Sequence, residues 1–187
     1  MIPESQIVER IYVWDIFVRL FHWGLVGLIA SNLFFLEEGD DLHRWAGYAA
    51  GLAITARLVW GVSISGYARI GAFFPTRQRI RRYLNCYAKH GRCATVGLNP
   101  LGAIMAIAMV MLVLFLVLTG WLMGTDVYWG EEWLESLHGV LSYALMVFIA
   151  LHIFMVFIIS YRTKINLPKA MVTGSKERTA NSAPFQR

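Results

Sequence analysis

Between Arg92 and Asp126 the chain runs for 33 residues without a charged side chain, and between Glu135 and Arg162 for 26. A third gap, from Arg19 to Glu37, holds 17 residues, and a fourth stretch, 45–68, is interrupted only by Arg57. A helix crosses the hydrocarbon of a bilayer with about 20 apolar residues, because there every backbone polar group must be satisfied within the segment itself. The four runs therefore predict an all-α integral membrane protein, a four-helix transmembrane bundle with helices at roughly 12–36, 43–64, 101–124 and 136–160. Only 16% of the 187 residues are charged, against roughly 25% in a soluble domain, which excludes an ordinary soluble fold. Residues 1–167 are expected to form one transmembrane domain, and residues 168–187 a disordered polar tail. The N-terminus shows neither a basic n-region nor a small-residue cleavage site, so no signal peptide is expected.

Charge in the loops gives an orientation. The first loop, Glu37-Glu38-Gly39-Asp40-Asp41, is acidic, and the third carries Asp126, Glu131, Glu132 and Glu135. The middle loop, 65–100, holds Arg69, Arg77, Arg79, Arg81, Arg82, Lys89 and Arg92 without a carboxylate, and six more Lys or Arg follow the last helix. Positive loops stay inside. The expectation is a multi-pass membrane protein with both termini and the long loop cytoplasmic. The net charge of +5 is then a topology signal and calls for no nucleic acid. Inside the basic loop, Ile80, Tyr83, Leu84 and Tyr87 recur at helical spacing behind Pro75-Thr76, as expected of a short interfacial helix on anionic lipid; a docking face for a cytoplasmic partner is the alternative. Cys86 and Cys93 match neither CxxC nor CxxCH and are expected to be ordinary thiols of a reducing compartment.

Four of the five histidines fall in or at the helices: His22, His43, His138 and His152, whereas His90 belongs to the basic loop. Ionisable groups inside a bilayer are costly and mark function by default. His138 and His152 stand 14 residues apart on one helix, about 40° short of four full turns and about 21 Å apart in rise, so no single metal holds both. Each needs a partner at its own depth. His43 opens a helix at the outer edge, like His138. His22 lies 15 residues before Glu37, about 22 Å beneath that edge, like His152. Depth thus pairs His43 with His138 and His22 with His152.

Two imidazoles at one level make a poor zinc site, which wants four ligands, and a good axial pair for haem iron. Without CxxCH the haem is noncovalent, so the cofactors expected are two haem b, one outer and one inner. Gly47 and Gly51 follow His43 on one helix face and would let a macrocycle approach the backbone; close helix packing is the equal alternative. Arg57, Arg19 and Arg44 are candidate partners for haem propionates, since a buried Arg needs an anion; Asp15 is the alternative partner for Arg19, and water for Arg44. The methionines of the third helix are expected to be packing.

The runs VWDIFVRLFHWGL, HRWAGYAAGLAITARLVWG, NPLGAIM and LHGVLSYALMVFIALH resemble the prokaryotic cytochrome b561 family, which extends to the b-type subunits of nickel-iron hydrogenases and formate dehydrogenases. The resemblance covers roughly residues 8–175. It implies a four-helix bundle with two stacked haems b and the same ligand pairing, passing electrons between a periplasmic partner, such as a cytochrome c or a dehydrogenase or hydrogenase subunit, and the quinone pool. One departure is Leu98, where many relatives carry His before NPLG. Two other functions compete: a self-sufficient superoxide:ubiquinone oxidoreductase of the same fold, and a non-redox membrane anchor.

Overall fold

The structure, a computed structural model, describes residues 7–63, 69–91, 93–179 and 185–186. Arg92 of the basic loop, and residues 180–184 and 187 of the expected tail, lie outside the described residues. The elements are β1 (Ile7–Tyr12), α1 (Ile16–Phe34), α2 (Asp41–Ser63), α3 (Ile70–Phe73), α4 (Arg77–His90), β2 (Ala94–Thr95), α5 (Pro100–Met123), α6 (Glu132–Thr163), α7 (Leu167–Thr173), β3 (Ser175–Thr179) and β4 (Phe185–Gln186).

Among the described residues three helices, α1, α5 and α6, are long and apolar enough to cross a membrane. Their outward surfaces remain apolar: Leu118, Trp121, Val140, Val147, Phe154 and Phe157 are all exposed. A water-soluble protein does not present such a surface, and lipid is the solvent it suits. At 23 residues α2 is long enough but falls short in apolarity. It carries Asp41, His43, Arg44, Arg57 and three glycines, and polar groups on a helix of this length need partners other than lipid.

Local chemistry sets the helix ends. Asp15 Oδ1 accepts from the Val18 amide at 2.8 Å, capping α1. Asn99 Oδ1 accepts from the Gly102 amide at 2.6 Å, with Pro100 at the first helical position of α5. Thr76 caps α4, and Gly91, at φ 65°, ends it.

The chain forms two compact units. One comprises residues 20–59 and 106–150. Its core joins Ala50 and Ile54 of α2, Val113 of α5 and Leu145 of α6, with Phe21, Leu25, Leu28 and Ile29 of α1 packed against them. The other comprises residues 1–19, 60–105 and 151–187. There β1 pairs antiparallel with β3, so that α1 begins at Ile16 and not near residue 12. Residues 167–179 fold as α7 and β3, which corrects the expectation of a disordered tail over that stretch. The reason is long-range pairing: the Val13 and Trp14 amides donate to the Gly174 carbonyl at 2.8 and 2.9 Å, and Glu177 pairs with both Arg10 and Lys169 at 2.7 Å. Lys176 is buried and its ammonium donates to the carbonyls of Thr95 (2.9 Å) and Gly97 (2.7 Å).

Cys86 and Cys93 form a disulfide with their Cα atoms 6.0 Å apart, which corrects the expectation of free thiols. The left-handed turn at Gly91 folds the chain back onto the last turns of α4, and Tyr83, Cys86 and Cys93 bury one another.

Candidate functional site

His43 stands in the first turn of α2, and His138 in the second turn of α6. Their ring centroids are 6.2 Å apart, with the ring planes at 59°. Two metal–nitrogen bonds of about 2 Å each plus two ring radii of roughly 1.1 Å come to ~6.2 Å, so the pair is spaced for one iron between them.

The side chain that orients His138 comes from α5. Thr119 is buried, and its Oγ1 lies 2.8 Å from His138 Nδ1. The Thr119 hydroxyl donates its own proton to the backbone carbonyl of Phe115 (2.9 Å) or Leu116 (3.1 Å). With its proton on either carbonyl, the hydroxyl accepts from a protonated Nδ1, the tautomer that would leave the Nε2 lone pair for a metal. A hydrogen-bonded far nitrogen is the usual support of a ligating histidine. Beside Thr119, Gly120 makes room for the ring: a Cβ there would lie 3.4 Å from His138 Cε1. His43 Nδ1 is buried without a hydrogen-bond partner among the described residues. The Asn32 amide spans one turn of α2, its nitrogen 3.2 Å from the His43 carbonyl and its oxygen 3.2 Å from the Gly47 amide.

This arrangement has two protein nitrogens and no more. Among the described residues no group of three or more His, Cys, Asp and Glu converges as a metal cage. A two-nitrogen site suits a metal that brings its own equatorial ligands, as haem iron does. Over residues 13–174 the chain matches the family model described as prokaryotic cytochrome b561. The chain belongs to the prokaryotic cytochrome b561 family. Comparison with curated proteins and with solved structures gives no match. Membership gives the class, a transmembrane b-type cytochrome of electron transfer, and b-type haem as its cofactor.

The remaining residues singled out in this cytochrome b561 sequence are placed as follows. His22 lies on α1 in the first unit and His152 on α6 in the second; both are half-buried. Arg57 is half-buried on α2. Arg19 is half-buried at the start of α1, where one terminal nitrogen donates to the Val172 carbonyl at 2.6 Å and Nε is buried without a hydrogen-bond partner. Asp15, the alternative partner for Arg19, instead spends Oδ1 on the α1 cap. Arg44 is exposed and pairs with Asp41 at 2.7 Å. Gly51 faces Val117: a Cβ there would lie 3.1 Å from its Cγ1, the contact of close helix packing. Gly47 has only Asn32 nearby, 3.8 Å from where its Cβ would stand.

Sequence reading overlooked Thr119 and Gly120. A signal was available, since Thr119 is the one hydroxyl in the 24 residues of α5, and a polar group in an apolar span is a functional candidate.

Proposed function

We propose that the chain is a dihaem member of its family that carries electrons across the membrane between a redox partner on the acidic-loop side and the quinone pool. In this reading α1, α2, α5 and α6 form a four-helix transmembrane bundle, with both termini and the basic loop on the cytoplasmic side of a bacterial inner membrane. His43 and His138 hold the outer haem b, and His22 and His152 the inner one.

The spacing of His43 and His138, with Thr119 Oγ1 2.8 Å from His138 Nδ1, is the observation that carries the reading. When bound, haem supplies a one-electron couple in each site. The residues do the rest. Thr119 and Gly120 seat the His138 ring from the Nδ1 side, which would leave Nε2 for the cofactor. Ala50, Ile54, Val113 and Leu145 keep water from the helix core. Arg57 and Arg19 are the proposed propionate partners, because a guanidinium within a span needs an anion. Arg44, already paired with Asp41 at the surface, is the weakest of the three. The inner pairing rests on the helix register of the sequence. A step of about 21 Å along α6 between the two levels suits sequential transfer through a bilayer about 30 Å thick. Glu37, Glu38, Asp40, Asp41, Asp126 and Glu131 favour a positively charged donor or acceptor beside the outer haem, such as a c-type cytochrome.

The test is haem b per polypeptide in the purified protein, by pyridine haemochrome, together with a reduced-minus-oxidised spectrum. Two haems per chain are expected. One would break one of the two pairs, and none in a folded sample would leave the anchor function standing. Rapid reduction by superoxide without any protein partner would instead move the assignment to the superoxide:ubiquinone oxidoreductase.

A further inference from the structure

Helix α4 divides into three faces. Tyr83 and Cys86 are buried with Cys93, and the Cys86–Cys93 disulfide holds this face down. Beside it runs an apolar stripe of Ile80, Leu84 and Tyr87, on which Leu84 is 49% and Tyr87 38% exposed. At 100° per residue Arg77 lies about 20° and Arg81 about 60° from Leu84, whereas Arg82 and Lys89 lie about 160° and 140° away. Arg77 and Arg81 make no ion pair or side-chain hydrogen bond among the described residues, and the loop 65–100 offers no carboxylate to pair with them.

The depth of this stripe is fixed by another contact. Arg162, in the last turn of α6, donates to the Tyr87 hydroxyl at 2.6 Å, and its guanidinium carbon lies 5.9 Å from the Tyr87 ring centroid. Arg162 is the first charge after the 26 apolar and polar-uncharged residues that follow Glu135, so it marks where the span reaches the headgroups. Tyr87 and the neighbouring Leu84 therefore sit at the membrane interface. Arg77 and Arg81 lie on the edge of the same stripe, from where stems laid along an apolar surface would carry their guanidinium groups to phosphate level.

We propose that the face of α4 bearing Arg77, Arg81, Leu84 and Tyr87 is a binding site for anionic phospholipid. An acidic soluble partner would use the cations equally well, but it would have no use for an exposed Leu–Tyr stripe at the depth where a span ends. The proposal does not depend on how many haems the chain holds.

Native mass spectrometry of the purified full chain in detergent tests it, with phosphatidylglycerol as probe and phosphatidylcholine as the neutral control. Arg77→Gln/Arg81→Gln should weaken phosphatidylglycerol binding about thirty-fold, from two interfacial cations. Arg82→Gln/Lys89→Gln, on the far face, should weaken it by less than about threefold. Arg77→Lys/Arg81→Lys should retain binding. An unchanged affinity in Arg77→Gln/Arg81→Gln overturns the site and leaves the face to an acidic protein. Equal losses in the two Gln pairs also overturn it, since affinity would then follow net charge and not position.

Discussion

Thr119 Oγ1 lies 2.8 Å from His138 Nδ1, and with the Thr119 proton on a carbonyl of its own helix this contact would leave Nε2 as the nitrogen for a metal. An acceptor on the far nitrogen also makes the imidazole a stronger donor to iron, which favours the oxidised metal.

Thr119→Val keeps the shape and removes the acceptor. The outer haem should bind about 10- to 100-fold more weakly, and its midpoint potential should rise. Thr119→Ser should restore both. Potentiometric titration of the α-band reads the outcome. A potential and haem content equal to wild type would show that Thr119 only fills space.

Substituting the histidines singly separates the two pairs. His43→Ala and His138→Ala should each reduce two haems per chain to one and remove the same spectral component. His22→Ala and His152→Ala should each remove the other component. Loss of one component by His43→Ala and of the other by His138→Ala would contradict the 6.2 Å pairing.

Burial lowers the Lys176 ammonium from 10.5 to about 8. Between pH 8 and about 10 the unfolded chain binds the proton that the folded chain has released, so this group's contribution to stability rises with pH across that window. Below pH 8 both states are protonated and the cost of the buried charge is present in full. The unfolding free energy of wild type minus that of Lys176→Met should therefore climb from pH 8 to about 10, by up to about 1.4 kcal/mol per pH unit. A flat difference would mean that water reaches the ammonium.

Gly174 holds φ 85°, and a Cβ there would lie 2.6 Å from the Trp14 carbonyl oxygen and 2.8 Å from Tyr12 Cε2. Gly174→Ala should cost about 1–3 kcal/mol for the left-handed backbone alone, and more for the backbone clash. Limited proteolysis should then cut within residues 167–179 while the haem spectrum persists. Wild-type resistance would remove the β1–β3 ribbon as a structural constraint.

How far the sequence reached depended on the range of the physics involved. Charge-free runs are local, and backbone burial in lipid admits helices alone, so α1, α5 and α6 were legible as spans before any coordinates. Helix rise and rotation are equally local, which is why the spacing of His138 and His152 already required partners from other helices. Capping at Asn99-Pro100 and Gly91 was written in the residues themselves. The rotation of α5 about its own axis was not, because a helix apolar on every side has no preferred face until it packs. Only that rotation brings Thr119 to His138. The disulfide needed the Gly91 turn to bring residue 93 back over residue 86, and the ribbon of β1 with β3 joins segments more than 160 residues apart, which no local pattern encodes. The sequence by itself determined which segments enter the membrane and which residues are expensive there; tertiary packing decided which of those residues meet, since contact depends on helix rotation and chain reversal while hydropathy depends only on composition along the chain.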